Sequence, residues 1–214
     1  MILRGHAWLV YAIWLTLVGA FAYELAHENW QMSFVALATL VASIIPAFVA
    51  DRYHLRLPMA FFAGIVLFIF ATLFLGEAFN FYERFWWWDV VLHGSSAIGF
   101  GLVGVIIALL MFEGDRYAAP PWAVGLIGFT FAVSIGVLWE VFEYFMDVGF
   151  GTNMQKSGLT DTMWDLITDA GGGLVGASAG YAYLQGRDRS GLPGMIAEFV
   201  RRNKPFFPKS GDKP

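Results

Sequence analysis

Cysteine is absent from the 214-residue chain, and charged residues make up only 14% of it. The lack of cysteine excludes disulfide bonds and thiolate metal sites. Soluble globular domains carry about 25% charged and about 45–50% apolar residues, whereas this chain is 58% hydrophobic with a mean hydropathy of +0.61. It also lacks a basic patch with interleaved aromatic residues, so nucleic acid is not an expected partner. The composition is that of a membrane protein.

Six segments are long and apolar enough to cross a bilayer, which takes roughly 20 residues per helix. They cover residues 6–26, 33–50, 58–76, 88–112, 121–146 and 162–184. Tryptophans lie at several segment ends, as interfacial tryptophans do. We therefore predict an all-α polytopic membrane protein with a six-helix transmembrane domain over residues 1–186. Residues 187–214 are basic and are predicted to form a cytoplasmic tail, in which residues 195–202 are amphipathic.

Lysine and arginine are distributed unevenly between the two sides of this predicted topology. One side carries every basic residue after Tyr183 together with Arg4, Arg52, Arg56 and Arg116, and the other carries only Arg84 and Lys156. By the positive-inside rule both termini are expected to be cytoplasmic, in a bacterial inner membrane. The first segment also has features of a cleaved signal peptide, including an Ala20-Phe21-Ala22 triplet, but it is long enough to span and five more spans follow.

Acidic residues follow the opposite distribution and collect in the outer half. Glu140 and Glu143 share a helix face with Gly136 in the fifth segment, because their spacing is three or four residues. Asp161, Asp165 and Asp169 are spaced by four along the start of the sixth segment. Their face continues inward with the small residues Gly172, Gly176 and Gly180, a spacing typical of close helix packing in membranes. The acids are therefore expected to face another helix rather than lipid.

The fourth segment enters from the same side and places Asp89, His93 and Ser96 on one face. Given a rise of 1.5 Å per residue, the polar residues of the last three segments can share one depth in the outer third of the bilayer. An ionised acid at mid-membrane costs about 2.5–3.5 kcal/mol, and neighbouring acids repel each other. Such a cluster persists if some acids hold protons, if basic side chains pair with them, or if a metal cation neutralises them. Basic partners are scarce on this side, which leaves a divalent metal or a proton-holding cluster.

Carboxylates with one imidazole and no thiolate suit Zn, Mg, Mn or Fe. The predicted metal ligands are Asp89, His93, Glu140, Asp165 and Asp169. Glu143 is predicted to act as the general base. Simpler roles compete at several positions. Asp161 and Asp165 can cap their helix and complement its dipole, and Asp147 can end its helix at the water surface. Asp89 can be interfacial, and His93 can be a hydrogen-bonded packing residue.

Three motifs in the second half of the chain resemble known membrane families. They are D-x2-LH from Asp89 to His93, WE-x2-E from Trp139 to Glu143, and DT-x2-DL-x2-D-x-GG from Asp161 to Gly172. This layout resembles the YjdF-like uncharacterised inner-membrane family over most of the chain. Residues 89–180 also resemble, more distantly, VanZ-type membrane proteins, in which Gln and Asn stand at the positions of Glu143 and Asp169. The extra carboxylates here favour a metal or proton site, and neither resemblance implies a settled activity.

Three functions are compatible with these features. The first is a metal-dependent hydrolase or transferase that acts on a membrane lipid or a lipid-linked substrate, which suits a cation site at headgroup depth. The second is an ion- or proton-coupled transporter, although the inner halves of the last three segments offer mostly Gly, Ala, Ser and Thr. The third is a non-catalytic membrane factor that binds a partner or an envelope lipid. We favour the first.

Overall fold

A computed structural model describes residues 6–112, 119–188 and 190–207. These residues are predominantly helical and contain no β-strand, which confirms the predicted all-α class. The helices are α1 Ala7–Ala26, α2 Trp30–Arg52, α3 Met59–Ala78, α4 Phe81–Arg84, α5 Trp88–Met111, α6 Pro121–Phe150, α7 Leu159–Leu184 and α8 Gly191–Arg202. Arg4 and Arg116, on which the orientation prediction partly depends, and residues 208–214 of the predicted tail lie outside the described residues.

Each of the six predicted segments forms one long helix. Five of these helices, α1, α2, α3, α5 and α6, are long and apolar enough to be candidate membrane spans, with mean hydropathies from 1.7 to 2.5. The 26-residue α7 is not among these five, because its aspartates and glycines make it less apolar. The molecule is therefore an all-helical membrane protein with five candidate spans in its described part.

Two helices differ in detail from the predicted segments. The second half of α3, Phe70–Ala78, winds into wider π-helical turns, which hydropathy does not signal. Helix α6 continues four residues past the predicted end at Met146 and stops at Phe150. It ends there because Gly151 adopts the left-handed conformation (φ 69°) that commonly terminates a helix.

The described residues divide into two compact units, one up to Trp88 and one from Asp89 onward. The first unit contains α1 to α4, and its core is formed by Val10, Ile13, Leu17, Ala36, Ala63, Val66 and Phe74. The acidic end of α1 makes local hydrogen bonds. Asn29 Nδ2 donates to Glu24 (2.8 Å), and His27 Nδ1 lies 2.7 Å from the Tyr23 carbonyl oxygen.

The second unit contains α5 to α8, and glycines bring its helices into close contact. A Cβ added at Gly176 of α7 would lie 2.6 Å from the carbonyl oxygen of Ile98 and 2.9 Å from Gly101 Cα, both in α5. A Cβ added at Gly104 of α5 would lie 2.9 Å from Gly128 Cα in α6. No side chain fits at these points, so the backbones pack directly against each other. The small-residue contact predicted for α7 is confirmed.

Helix α8 belongs to the same unit and packs against α7. It buries Ile196 and Phe199, and the Phe199 ring meets Phe207 edge to face at 6.2 Å. Its basic residues Arg201 and Arg202 occupy the last turn, where they complement the helix dipole. The described part of the basic tail is therefore helical and attached to the second unit.

Candidate metal centre

The polar cluster lies where the start of α5, the end of α6 and the start of α7 come together. His93, Glu140, Glu143, Asp165 and Asp169 are all buried, with exposed fractions of 2 to 9%, and Asp89 is half-buried. The burial of five ionisable side chains agrees with the prediction that the acids face neighbouring helices. The five buried side chains have little contact with solvent, so each needs a partner inside the protein or a bound cation.

His93 is the central residue of the cluster because its two ring nitrogens have different neighbours. Nδ1 lies 3.3 Å from both carboxylate oxygens of Asp169. Nε2 lies 3.8 Å from Asp89 Oδ1 and 4.0 Å from Asp165 Oδ1. A carboxylate can only accept a hydrogen bond, so the Asp169 contact assigns the ring proton to Nδ1. In the neutral ring Nε2 then presents its lone pair to the two aspartates.

Asp89, His93 and Asp165 form a group that could hold a metal ion, since one ligand atom from each lies within 4.8 Å of the others. Two ligands of one ion at a bond length of about 2.1 Å lie at most about 4.2 Å apart. The two separations from Nε2 therefore fit a shared ion. They are too long for direct hydrogen bonds.

Asp169 lies on the opposite side of the His93 ring and orients it. Metal-binding histidines commonly donate their second N–H to a carboxylate in this way. Asp169 itself packs against Gly136 of α6, where an added Cβ would overlap its carboxylate. The missing side chain at position 136 therefore leaves the space that Asp169 occupies. Asp169 contacts Nδ1 of His93 and is not part of the Asp89–His93–Asp165 group, and its predicted role as a metal ligand stays a prediction.

The two glutamates of α6 have different surroundings. Trp139 Nε1 donates a 2.9 Å hydrogen bond to Glu143 Oε1, and Glu143 is close enough to Asp89 and His93 for electrostatic interaction. Glu140 lies near Thr162 and Gln155 of the α6–α7 connection. Among the described residues, however, neither of its carboxylate oxygens completes a hydrogen bond. Glu140 is therefore a deeply buried carboxylate with two free acceptor oxygens.

Asp147 and Asp161 organise the connection between α6 and α7. Asp147 accepts from Thr152 Oγ1 (2.6 Å) and from the backbone N–H groups of Met154 (2.7 Å) and Gln155 (2.9 Å). Asp161 accepts from the N–H of Lys156 at 3.1 Å. Both carboxylates thus hold a glycine-rich loop in a defined shape. Asp161 lies in the first turn of α7, as its simpler role requires, but it bonds to the loop rather than capping the helix, and α6 continues past Asp147 to Phe150.

Four residues near the site were not proposed as site residues from the sequence. Trp139 lies one helical turn before Glu143, a spacing that could have indicated the contact. Thr162 accepts a 2.7 Å hydrogen bond from Gln155 Nε2, and nothing in the loop composition indicates that both would approach Glu140. Ser96, which shares a face with His93, instead donates to the His93 carbonyl oxygen at 2.9 Å.

Comparison with known proteins places the chain in a family. Residues 6–186 match the family described as "Predicted membrane protein (DUF2238)". The chain belongs to the DUF2238 family. An uncharacterised protein of Thermotoga maritima is 34% identical over 121 residues, which is 56% of this chain and 60% of that protein. No solved structure matches the chain. Membership of DUF2238 is consistent with the expected YjdF-like family, and the VanZ resemblance stays a prediction.

Proposed function

We propose that this DUF2238 protein is a divalent-metal-dependent hydrolase or transferase of the bacterial inner membrane. Its substrate would be a membrane lipid or a lipid-linked molecule. The observation that supports the proposal is the buried Asp89–His93–Asp165 group, whose histidine ring is fixed through its other nitrogen by Asp169. This combination of ligand set and orienting carboxylate is common in metal sites.

The ligand set narrows the choice of ion. One imidazole and two carboxylates suit zinc, manganese or iron, whereas magnesium prefers oxygen ligands and keeps several waters. Asp89 is half-buried while His93 and Asp165 are buried, so the Asp89 side is the more accessible one. A substrate oxygen would approach the ion from there.

Glu143 is the residue that we assign as general base. Its carboxylate is buried, is oriented by Trp139 Nε1, and lies near His93 and Asp89. The ion would supply Lewis acidity to a phosphoryl or carbonyl oxygen of the substrate. Glu143 would take the proton from the attacking water or hydroxyl group.

The proposal includes a membrane arrangement in which α7 is a sixth span and both termini are cytoplasmic. Helix α7 is long enough to span, and its buried glycine face lies against α5. Exposed aromatic side chains surround the polar cluster on α6 and α7, including Trp139, Phe145 and Trp164, as expected near a membrane interface. In this arrangement the site would lie in the outer half of the bilayer, where lipid headgroups reach it.

A transporter is less well supported by the described residues. A carrier needs a polar path that continues from the cluster toward the other end of α5, α6 and α7. In that direction the three helices meet through backbone contacts at Gly101, Gly104, Gly128 and Gly176. These contacts leave no space for a side chain between the helices at those four glycines, which counts against a polar path there.

The test is the metal content of the full chain purified in detergent or nanodiscs. After equilibration with zinc, manganese or iron and removal of excess metal, we expect at least one bound ion per chain by inductively coupled plasma mass spectrometry. His93→Gln should abolish binding by the Asp89–His93–Asp165 group, whereas His27→Gln, at an exposed histidine of the first unit, should retain the wild-type content. Wild-type protein that retains no metal at near-neutral pH would refute the proposal.

A further inference from the structure

We propose that the centre holds a second divalent cation between Glu140 and Asp165, so that Asp165 bridges two ions. This inference rests on the proposed function above. The second site is distinct from the first because its ligands are all oxygens. It therefore favours a harder ion such as magnesium or manganese.

Glu140 provides the first observation. Its side chain is 4% exposed, and in the described part of the chain neither carboxylate oxygen has a hydrogen-bond partner. An ionised carboxylate buried without a partner is strongly unfavourable, so buried charges are normally paired or bound to metal. Thr162 and Gln155 approach Glu140, but neither reaches hydrogen-bond geometry with its oxygens, and Gln155 Nε2 donates to Thr162 Oγ1 at 2.7 Å. Both oxygens of Glu140 therefore remain available to one cation.

Asp165 provides the second observation, which is independent of the first. Its Oδ1 lies 4.0 Å from His93 Nε2, and its Oδ2 is buried without a hydrogen-bond partner among the described residues. Asp165 is also close enough to Glu140 for electrostatic interaction. A carboxylate with one oxygen directed at a first ion and the other oxygen free can bridge to a second ion. Two-metal enzymes place such ions about 3.5–4 Å apart.

The charge of the cluster supports the same conclusion. Asp89, Glu140, Glu143, Asp165 and Asp169 contribute five formal negative charges when they are ionised. One divalent cation leaves three of these charges, and two divalent cations leave one. Lys156 is close enough to Asp89 to interact with it electrostatically. Two cations therefore bring this buried cluster near neutrality, as its burial requires.

With a second ion, the two glutamates have different roles. Glu143 has one oxygen held by Trp139 and stays the general base, while Glu140 binds the second ion. Two adjacent cations can stabilise both the attacking and the leaving oxygen of a displacement at phosphorus. This arrangement identifies the substrate class as a phosphate ester or diphosphate at the membrane surface.

The experiment is a Mn²⁺ titration of metal-stripped full-length protein, followed by metal counting and electron paramagnetic resonance. We expect two Mn²⁺ per wild-type chain with an exchange-coupled signal. Glu140→Gln should bind one Mn²⁺ and give an uncoupled signal, and the matched control Glu24→Gln should behave like wild type. Asp165→Asn, which removes the bridge, should abolish the coupling.

The outcomes separate this inference from the proposed function. One Mn²⁺ per wild-type chain, lost in His93→Gln, would overturn the second site and leave the first intact. No bound metal in the wild type would overturn both. Two Mn²⁺ bound per chain of Glu140→Gln would overturn the inference as well, because that result would show that Glu140 is not a ligand of the second ion. The wild-type count does not depend on any variant folding.

Discussion

Both carboxylate oxygens of Asp169 lie 3.3 Å from Nδ1 of His93, so a side chain of α7 fixes the ring that α5 contributes. This contact leaves Nε2 facing Asp89 and Asp165. A ring with this orientation can serve as a metal ligand without further rearrangement. The contact is also the only link in the cluster that joins two buried side chains of different helices by a hydrogen bond within the described ranges.

Asp169→Asn should weaken metal binding by about 10–100-fold, the usual effect of losing an orienting carboxylate. The asparagine keeps the size of the side chain but lowers the basicity of the His93 ring. Competition with a fluorescent chelator measures the affinity. Asp161→Asn, on the same helix but bonded to the loop, is the matched control and should keep the wild-type affinity. Equal affinities for wild type and Asp169→Asn would show that the contact does not tune the site.

Gly136→Ala should destabilise the protein by about 1–3 kcal/mol, because the new methyl group overlaps the Asp169 carboxylate. It should also weaken metal binding, since Asp169 must move away from His93. Gly149→Ala is the control in the same helix, because nothing lies within 4 Å of a Cβ added there. Thermal unfolding in detergent gives the stabilities. The close packing described for Asp169 would be contradicted if both variants unfolded at the same temperature.

Asp147→Ala should release the loop between α6 and α7. The N–H groups of Met154 and Gln155 lose their acceptor, so their hydrogen exchange should accelerate severalfold. Asp161→Ala removes one of the two acceptors of Lys156 N–H, which keeps the Met154 carbonyl oxygen at 3.1 Å, and should leave exchange at Met154 and Gln155 unchanged. Hydrogen exchange followed by NMR at single amides measures these effects. Unchanged protection of Met154 and Gln155 would mean that Asp147 does not hold the loop.

Trp139→Phe should lower the free energy of unfolding by about 1 kcal/mol through loss of the hydrogen bond to Glu143. The metal content should stay at the wild-type value, since Trp139 is not a ligand. Trp164→Phe, at a tryptophan that is 60% exposed on α7, is the control for losing an indole. If the two substitutions lower the free energy of unfolding by the same amount, the Trp139–Glu143 hydrogen bond makes no measurable contribution to stability.

Much of the helical arrangement follows from sequence periodicity. Runs of apolar residues predicted the long helices within a few residues, because spanning length depends mainly on hydropathy. The spacing of Asp165, Asp169 and Gly172 correctly predicted a buried face on α7. Burial of Glu140 and Glu143 likewise follows from the cost of leaving carboxylates against lipid.

The different contacts that Asp165 and Asp169 make with His93 could not be predicted from the sequence. Helical spacing places Asp165 and Asp169 on one face, but it does not determine which of them meets Nδ1 and which meets Nε2 of His93. That depends on the rotation of α7 against α5 and on the space left at Gly136. The contacts of Asp147 with Thr152 and Met154 depend on loop conformation, for which hydropathy gives no information.

The glycines of α7 also restrict slippage between helices. Gly172, Gly176 and Gly180 each lie where α5 leaves no space for a Cβ. Sliding α7 by one turn, about 5.4 Å, would bring either Thr168 or Leu184 to one of these crowded points. The helix pair therefore has a single allowed alignment along its length. That alignment sets Asp169, rather than Asp165, opposite Nδ1, so the geometry of the cluster is determined partly by residues that carry no functional group.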